Sequence, residues 1–418
     1  MIPRYSIPEL EAIWTDEHKI KLWLRIEQTA MNVMHKHGAI PERITFSIND
    51  ASSQEFISAC KEKEKSTQHD VVAFLSVLED ALGKPGRYIH YGMTSSDLVD
   101  TGLALQMKES VGLIQDTLAV LCSAVLEKAV EHKNTLIMAR THGRFAEPST
   151  FGLVLLNHYS ELCRHITRLV NVKSMVAVGK LSGSIGLYAY VPPTIEQELM
   201  KVLELTAEPI SSQIVARDRH AELISELALL ATAIERLALE IRLLARSDVQ
   251  ELAEGHGSGY KGSSSMPHKV NPIVCENLCG LTRVVRSYVA PMLEDVALWH
   301  ERDISHSSVE RLVIPDAFGI VYYMIKRMTK VIKELWVDKQ KMESRVRESV
   351  YQWTSQSIML DLIDQGMSRQ EAHTAVQHDL FSRTNDEPIP TTDERLARHL
   401  KHVDEIFSRF EDKHETSR

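Results

Sequence analysis

The segment LISELALLATAIERLALEIRLL, Leu223–Leu244, carries apolar residues at Leu223, Leu227, Leu230, Ile234, Leu237, Ile241 and Leu244. Steps of four and three alternate throughout, which is the heptad spacing of a helix with one apolar seam. Asp218 and Arg219 stand at its start and Gly255 beyond its end. The pattern predicts a helix of roughly 30 residues, about 45 Å long. Glu235, Arg236, Glu240 and Arg242 interrupt the apolar run, too many charges for a membrane span.

The same rhythm recurs upstream at Ile114, Leu118, Leu121 and Val125, and again at Leu162, Ile166 and Leu169. Several long amphipathic helices predict a bundle with coiled-coil-like packing. No run of alternating Val, Ile and Thr bounded by Asn-Gly or Asp-Gly stands out, so the expected fold class is all-α. Punctuation at Gly83, Pro85 and Gly86, and a charge-rich tract after about Lys341, set the expected organisation. It has an N-terminal helical domain over 1–93, a central long-helix bundle over 94–342 and a C-terminal helical domain over 343–418.

With 418 residues, 44% of them hydrophobic and 25% charged, the chain is long and apolar enough for large ordered cores rather than a minimal binding module. A formal charge of -9 repels a nucleic-acid backbone, so any anionic ligand needs a local cluster of cations. Five cysteines, few and odd in number, argue against a disulfide framework and for a reducing compartment. The N-terminal MIPRYSIPELEAIW lacks the basic start and apolar run of a signal peptide. The expected location is the cytoplasm, with no membrane and no nucleic-acid partner.

Past the long helix the sequence reads GHGSGYKGSSS, Gly255–Ser265, and then MPHKVNP. A Gly/Ser tract of this kind cannot continue a helix and loses much entropy on ordering. A mobile lid over substrate is therefore expected. Gly257, Gly259 and Gly262 match the G-x-G-x-x-G dinucleotide fingerprint only in spacing, because that motif must follow a strand and open a helix. No Gly-Lys-Ser/Thr stands where a phosphate-binding loop would need it. Cys275 and Cys279 form a C-x₃-C pair without the second ligand pair that structural zinc requires. Neither metal nor cofactor is expected.

The segment GSSSMPHKVNP, Gly262–Pro272, resembles the G-S-S-x-M-P-x-K-x-N signature of the fumarase/aspartase superfamily. Within that superfamily, MIPRY at the start, HDVVAF from His69, YIHYGMTSSDLVDT from Tyr88 and RTHGRFAEPSTFG from Arg140 resemble the branch that releases fumarate from succinylated purine nucleotides. SSQIVARDRHAE from Ser211 and ERDISHSSVER from Glu301 fit the same branch. The first and last of these segments set it apart from fumarase, aspartase and argininosuccinate lyase. The chain departs from the branch at Gln68, where relatives often carry a basic residue, and at Val215-Ala216, where Leu-Gln is common.

Such an elimination needs a base, an electrophilic cradle for a dianionic intermediate and an acid for the leaving nitrogen. Read from residue chemistry alone, the base would be a His or a Lys, since a free serine hydroxyl is too weakly acidic. The resemblance implies instead that Ser263 is the base and His142 the general acid, with Lys269 and Glu276 completing the catalytic group. It further implies that Lys269 and Asn271 hold a carboxylate, that Ser264 and Asn277 touch substrate, and that Glu276 orients His142. Pro272 suits the first turn of a helix whose N-terminus would favour the developing dianion.

The resemblance also assigns Gln68, His69, Asp70 and His90 to substrate contact, with Thr94, Ser95 and Ser96 as a hydroxyl-rich turn for a carboxylate. Arg4, Tyr5, Arg302, Ser307 and Arg311 correspond to the grip on phosphate and sugar, and Gln213 to a succinyl carboxylate contact. The implied partners are small nucleotide substrates and three further copies of the chain. The relatives are homotetramers with active sites shared between subunits, and the Leu223–Leu244 seam is the surface expected to be buried in that assembly.

Overall fold

The computed structural model describes residues 2–48, 53–255, 266, 269–382 and 392–410. Long helices dominate, among them Asp16–Lys36, Ser95–Glu131, Phe151–Val176, Asp218–Leu244, Ile273–Ser287 and Ser305–Glu334. The fold is all-α, as expected, and the seam helix runs for 27 residues. The chain divides into two compact units. One comprises Met1–Leu118, His165–Thr232 and Gly280–Ile325; the other Ala119–Arg164, Ala233–Cys279 and Lys326–Arg418.

Helix starts in the first unit follow from local capping. Thr15 accepts the N–H of His18 at 3.2 Å ahead of Asp16 and Glu17, so hydroxyl and acidic residues both meet the positive helix end. At the head of Ser95–Glu131, the Asp97 carboxylate reaches back to the Thr94 N–H at 2.8 Å, one half of a capping box. The core gathers around Trp23, whose ring meets Phe74 edge-on at 5.4 Å. Leu98, Leu181, Ile195 and Leu199 belong to the same buried cluster.

The second unit contains a feature that periodicity does not reveal. Leu136–Thr141 and Arg144–Thr150 form an antiparallel hairpin with Thr141 opposite Arg144, leaving His142-Gly143 as a two-residue loop. Both loop residues have positive φ, 52° and 73°, the signature of a type I′ turn. Histidine occupies the place where Asn or Asp would have signalled it. Behind the hairpin, Met138 packs with Val346 and Trp353 from the C-terminal region, and the Trp353 indole donates to the Val346 carbonyl at 2.9 Å.

All seven seam residues are buried, none more than 3% exposed. This corrects the expectation that the seam awaits a partner subunit: the chain already covers it. The exposed apolar side chains of that helix are Leu229, Leu239 and Leu243, at 53%, 40% and 51%. The helix Ser95–Glu131 has a window long and apolar enough to cross a membrane by composition, but half of that window is buried inside the protein.

Candidate active site

In the first unit, stretches far apart in sequence line one cleft: His69 and Asp70, Ser95 and Ser96, Arg217, and Arg302, His306, Ser307, Glu310 and Arg311. Gln68 ends the helix Gln54–Thr67 in the left-handed region, φ 51°, which turns the chain sharply. His69 then caps Asp70–Leu82, its Nδ1 accepting the Val72 N–H at 3.5 Å. Burial pushes the Asp70 carboxyl upward, but the Arg311 guanidinium outweighs it and holds the group below its ordinary range.

Arg302 is the hub of the cleft. Its Nη1 donates to Ser96 Oγ at 3.3 Å and to Gln213 Oε1 at 3.2 Å, and its Nε donates to His306 Nε2 at 3.1 Å. Burial pulls the guanidinium below its ordinary value. Behind it, Arg217 makes a fork to Asp100 at 2.7 and 2.9 Å and faces Glu310 at 3.0 Å. Glu310 also pairs with His220 at 2.7 Å and His306 at 2.8 Å. Burial raises both carboxyls, yet Arg217 at Asp100, and His220 with Arg217 at Glu310, keep them well ionised. Buried acids and bases here match each other, so attraction for an anion falls to Arg302, Arg311 and Lys19 at the cleft wall.

Ser307 and Arg311 lie one turn apart on Ser305–Glu334 and line the same cleft. Other expected residues lie outside its lining. His90 has a positive φ of 59°, and the buried Glu27 receives both its Nδ1, at 2.7 Å, and its backbone N–H, at 3.0 Å. Tyr5 packs edge-on against Tyr323 at 5.2 Å, beside Arg4 in the N-terminal turn.

In the second unit, Lys269, Asn271, Pro272 and Glu276 line a separate pocket with Arg242 and Lys341. Pro272 immediately precedes the helix Ile273–Ser287, as expected, and Glu276 donates its N–H to the Pro272 carbonyl at 3.0 Å. The expected role of that helix end needs correction. The N–H groups of Val274 and Cys275 donate to the buried Glu254 carboxylate at 3.1 and 2.6 Å, so a residue of the chain already occupies the positive terminus. Gly255 follows where any Cβ would sit 2.1 Å from the Glu334 carbonyl oxygen.

His142 is exposed at the hairpin tip, and neither it nor Asn277 lines this pocket. The strand leading to His142 is anchored by Arg140, forked onto the fully buried Glu251 at 3.1 and 2.7 Å. Ser263, Ser264 and the expected lid, apart from Gly255, lie outside the described residues. Among the described residues no cluster of His, Cys, Asp and Glu is arranged to hold a metal ion.

A family model described as Lyase matches residues 4–287. Adenylosuccinate lyase of Thermotoga maritima is 41% identical, the alignment covering 98% of this chain and 100% of the relative. The enzyme of that name from Bacillus subtilis is also 41% identical, covering 98% and 99%. The chain belongs to the adenylosuccinate lyase family. Its wider placement in the fumarase/aspartase superfamily agrees with the solved structures it resembles. A fumarate lyase from Mesorhizobium sp. BNC1 superposes with a TM-score of 0.80 at 22% identity over 99% of this chain and 94% of the other. The 3-carboxy-cis,cis-muconate lactonizing enzyme of Pseudomonas putida gives 0.85 at 23% over 99% and 98%. At those identities the likeness is one of fold.

In this member of the adenylosuccinate lyase family, Asp100, Arg217, His306 and Glu310 form the charged floor of the cleft, with His220 paired to Glu310, and neither motif nor composition singles out any of them. Each lies inside a segment quoted for the resemblance. A usable signal was the i, i+4 pair His306 and Glu310, which shares one helix face. Asp97 gives equally little sign of its role. Its buried carboxylate pairs with the buried Lys180 ammonium and accepts the N–H groups of Ser182 and Gly183 at 3.1 and 3.2 Å.

Proposed function

We propose that the protein releases fumarate by β-elimination from succinyl-AMP, giving AMP, and from succinylaminoimidazole carboxamide ribotide, giving AICAR. The observation that carries this reading is the Arg302 hub, where Arg302 on the cleft wall is bonded to Ser96 and Gln213 from two distant segments. Arg302, Ser307 and Arg311, with Arg4 and Tyr5, grip phosphate and sugar. Gln68, His69, Asp70, His90, Thr94 and Ser95 contact the rest of the substrate.

Chemistry on this reading uses Ser263 as base and His142 as acid, with Glu276 orienting His142. Lys269 and Asn271 hold the carboxylate, helped by Ser264 and Asn277. No cofactor takes part. The enzyme works in the cytoplasm as a homotetramer whose sites draw on more than one subunit, which supplies a reason for an exposed His142. The division at 1–93, 94–342 and 343–418 is carried forward with it. Its first boundary falls just before Ser95–Glu131, and its second lies inside Lys339–Glu348.

The test is direct. Purified protein stripped of metal with chelator is given succinyl-AMP, and fumarate and AMP are quantified. Stoichiometric release is expected, while release of fumarate only from argininosuccinate or aspartate would reject the assignment.

A further inference from the structure

The cleft of the first unit contains a histidine whose protonation is set by its neighbours. His306 is 2% exposed. Its Nε2 lies 3.1 Å from Nε of Arg302, and its Nδ1 lies 2.8 Å from Oε2 of Glu310. A guanidinium nitrogen only donates, so Nε2 accepts and carries no proton. The ring proton is then on Nδ1, donated to Glu310. Arg217 Nη2 also approaches Nδ1, at 3.4 Å, but the shorter contact with an ionised carboxylate fixes the tautomer. A doubly protonated ring would set its Nε2–H against the Arg302 N–H.

This arrangement occupies Nε of Arg302 with His306 and Nη1 with Ser96 and Gln213. None of its hydrogen bonds to described residues uses Nη2. We propose that His306 is a positioning residue: held as its neutral Nδ1–H tautomer by buried Glu310, it fixes the plane of the Arg302 guanidinium so that Nη2 is presented to an anionic group of the substrate. The proposal rests on the reading that Arg302 grips substrate. His306 touches neither the substrate nor the reacting atoms and acts only through Arg302.

Four variants of the assembled enzyme test it, with kcat and KM measured on succinyl-AMP: Arg302→Ala, His306→Leu, His306→Gln and the double variant Arg302→Ala/His306→Leu. His306→Leu removes the acceptor and keeps the bulk. Loss of a hydrogen bond that aims a charged group corresponds to about a tenfold or larger rise in KM, with kcat nearly unchanged. Glutamine offers an amide oxygen to Arg302, so His306→Gln is expected to recover most of the lost affinity. When Arg302 is already Ala, His306→Leu is expected to add nothing.

If Arg302→Ala raises KM and His306→Leu does not, the positioning role is overturned while the reading of Arg302 stands. If Arg302→Ala leaves KM unchanged, that reading fails and the proposal falls with it. Equal effects of His306→Leu with and without Arg302 would mean a merely structural residue and also overturn the proposal. Should His306→Leu not fold, His306→Gln is compared with His306→Asn, whose side chain is too short to reach Arg302. A higher KM for the Asn variant is expected, and equal KM values reject the idea.

Discussion

Arg311 Nη2 lies 2.8 Å from Asp70 Oδ2, so two residues expected to hold a substrate hold each other. The Arg311 side chain is largely exposed while Asp70 is mostly covered, and a pair open to solvent on one side contributes about 1 kcal/mol. An incoming phosphate must compete with Asp70 for the guanidinium. Asp70→Asn removes the competitor and is expected to tighten AMP binding, by up to about fivefold. Calorimetric titration with AMP checks it. Weaker binding would show that Asp70 aims Arg311 rather than competing for it.

The carboxyl of Asp295 is pushed up to about 6, by burial first and then by the Glu310 charge, with the Arg217 guanidinium opposing. Its Oδ2 has no hydrogen-bond partner among the described residues. The folded-state pKa exceeds the ordinary 3.8, so folding favours the protonated form and the penalty for the ionised form is complete above about pH 6. Below about pH 4 the group is protonated in both states and the penalty vanishes. Asp295→Asn is therefore expected to melt at a higher temperature than the parent near pH 8, with the advantage shrinking through that window. Melting curves of both proteins from pH 4 to 8 decide the matter; a gap independent of pH would exclude it.

Asp97 and Lys180 are both fully buried, but they do not depend on each other equally. Without Lys180, Asp97 keeps the N–H donors of Thr94, Ser182 and Gly183. Without the Asp97 charge, the Lys180 ammonium retains among the described residues only the Gly183 carbonyl as hydrogen-bond partner, at 3.4 Å. Leaving a buried charge uncompensated costs about 3–5 kcal/mol. Asp97→Asn is accordingly expected to destabilise the protein by that order and Lys180→Met by clearly less. Urea unfolding midpoints compare them, and equal or reversed losses would contradict the asymmetry.

Periodicity makes the helices legible. The 27-residue Asp218–Leu244 helix is readable from a seven-residue rhythm because burial of one face imposes that rhythm on the sequence. The same rhythm says which face is covered but not by what, so it wrongly assigns the seam to a partner subunit. The His142 hairpin leaves no such trace: its strands are short, Pro148 and Glu147 break the alternation, and a His-Gly turn carries weaker information than Asn-Gly. At the site, resemblance supplies Arg302 and Arg311. It does not supply the Glu310–His306–Arg302 chain, whose members contribute only through contacts made after folding. Nor does it show that Glu254 occupies the Ile273–Ser287 helix end, since Glu254 and the N–H groups it receives are some 20 positions apart.

The exposed tip at His142 bears on assembly. A general acid must come within hydrogen-bond reach of the atom it protonates, yet His142 lines neither the cleft around Arg302 nor the pocket around Lys269 and Glu276. In the proposed tetramer another subunit brings its substrate to that tip, with Ser263 of a given site coming from a different chain than His142. His142→Asn suits the test, because Asn tolerates the positive φ of this turn and the fold is expected to persist. That variant and Ser263→Ala are each expected to lower kcat by about 10²- to 10⁴-fold. When the two inactive proteins are mixed under conditions that let subunits exchange, chains assort at random. Each site then needs an intact His142 from one contributor and an intact Ser263 from another, so about a quarter of sites regain both. Fumarate release should rise to roughly that fraction of parental activity over the exchange period. Absence of recovery, with exchange demonstrated by mass-labelled subunits, would place both residues of a site on one chain.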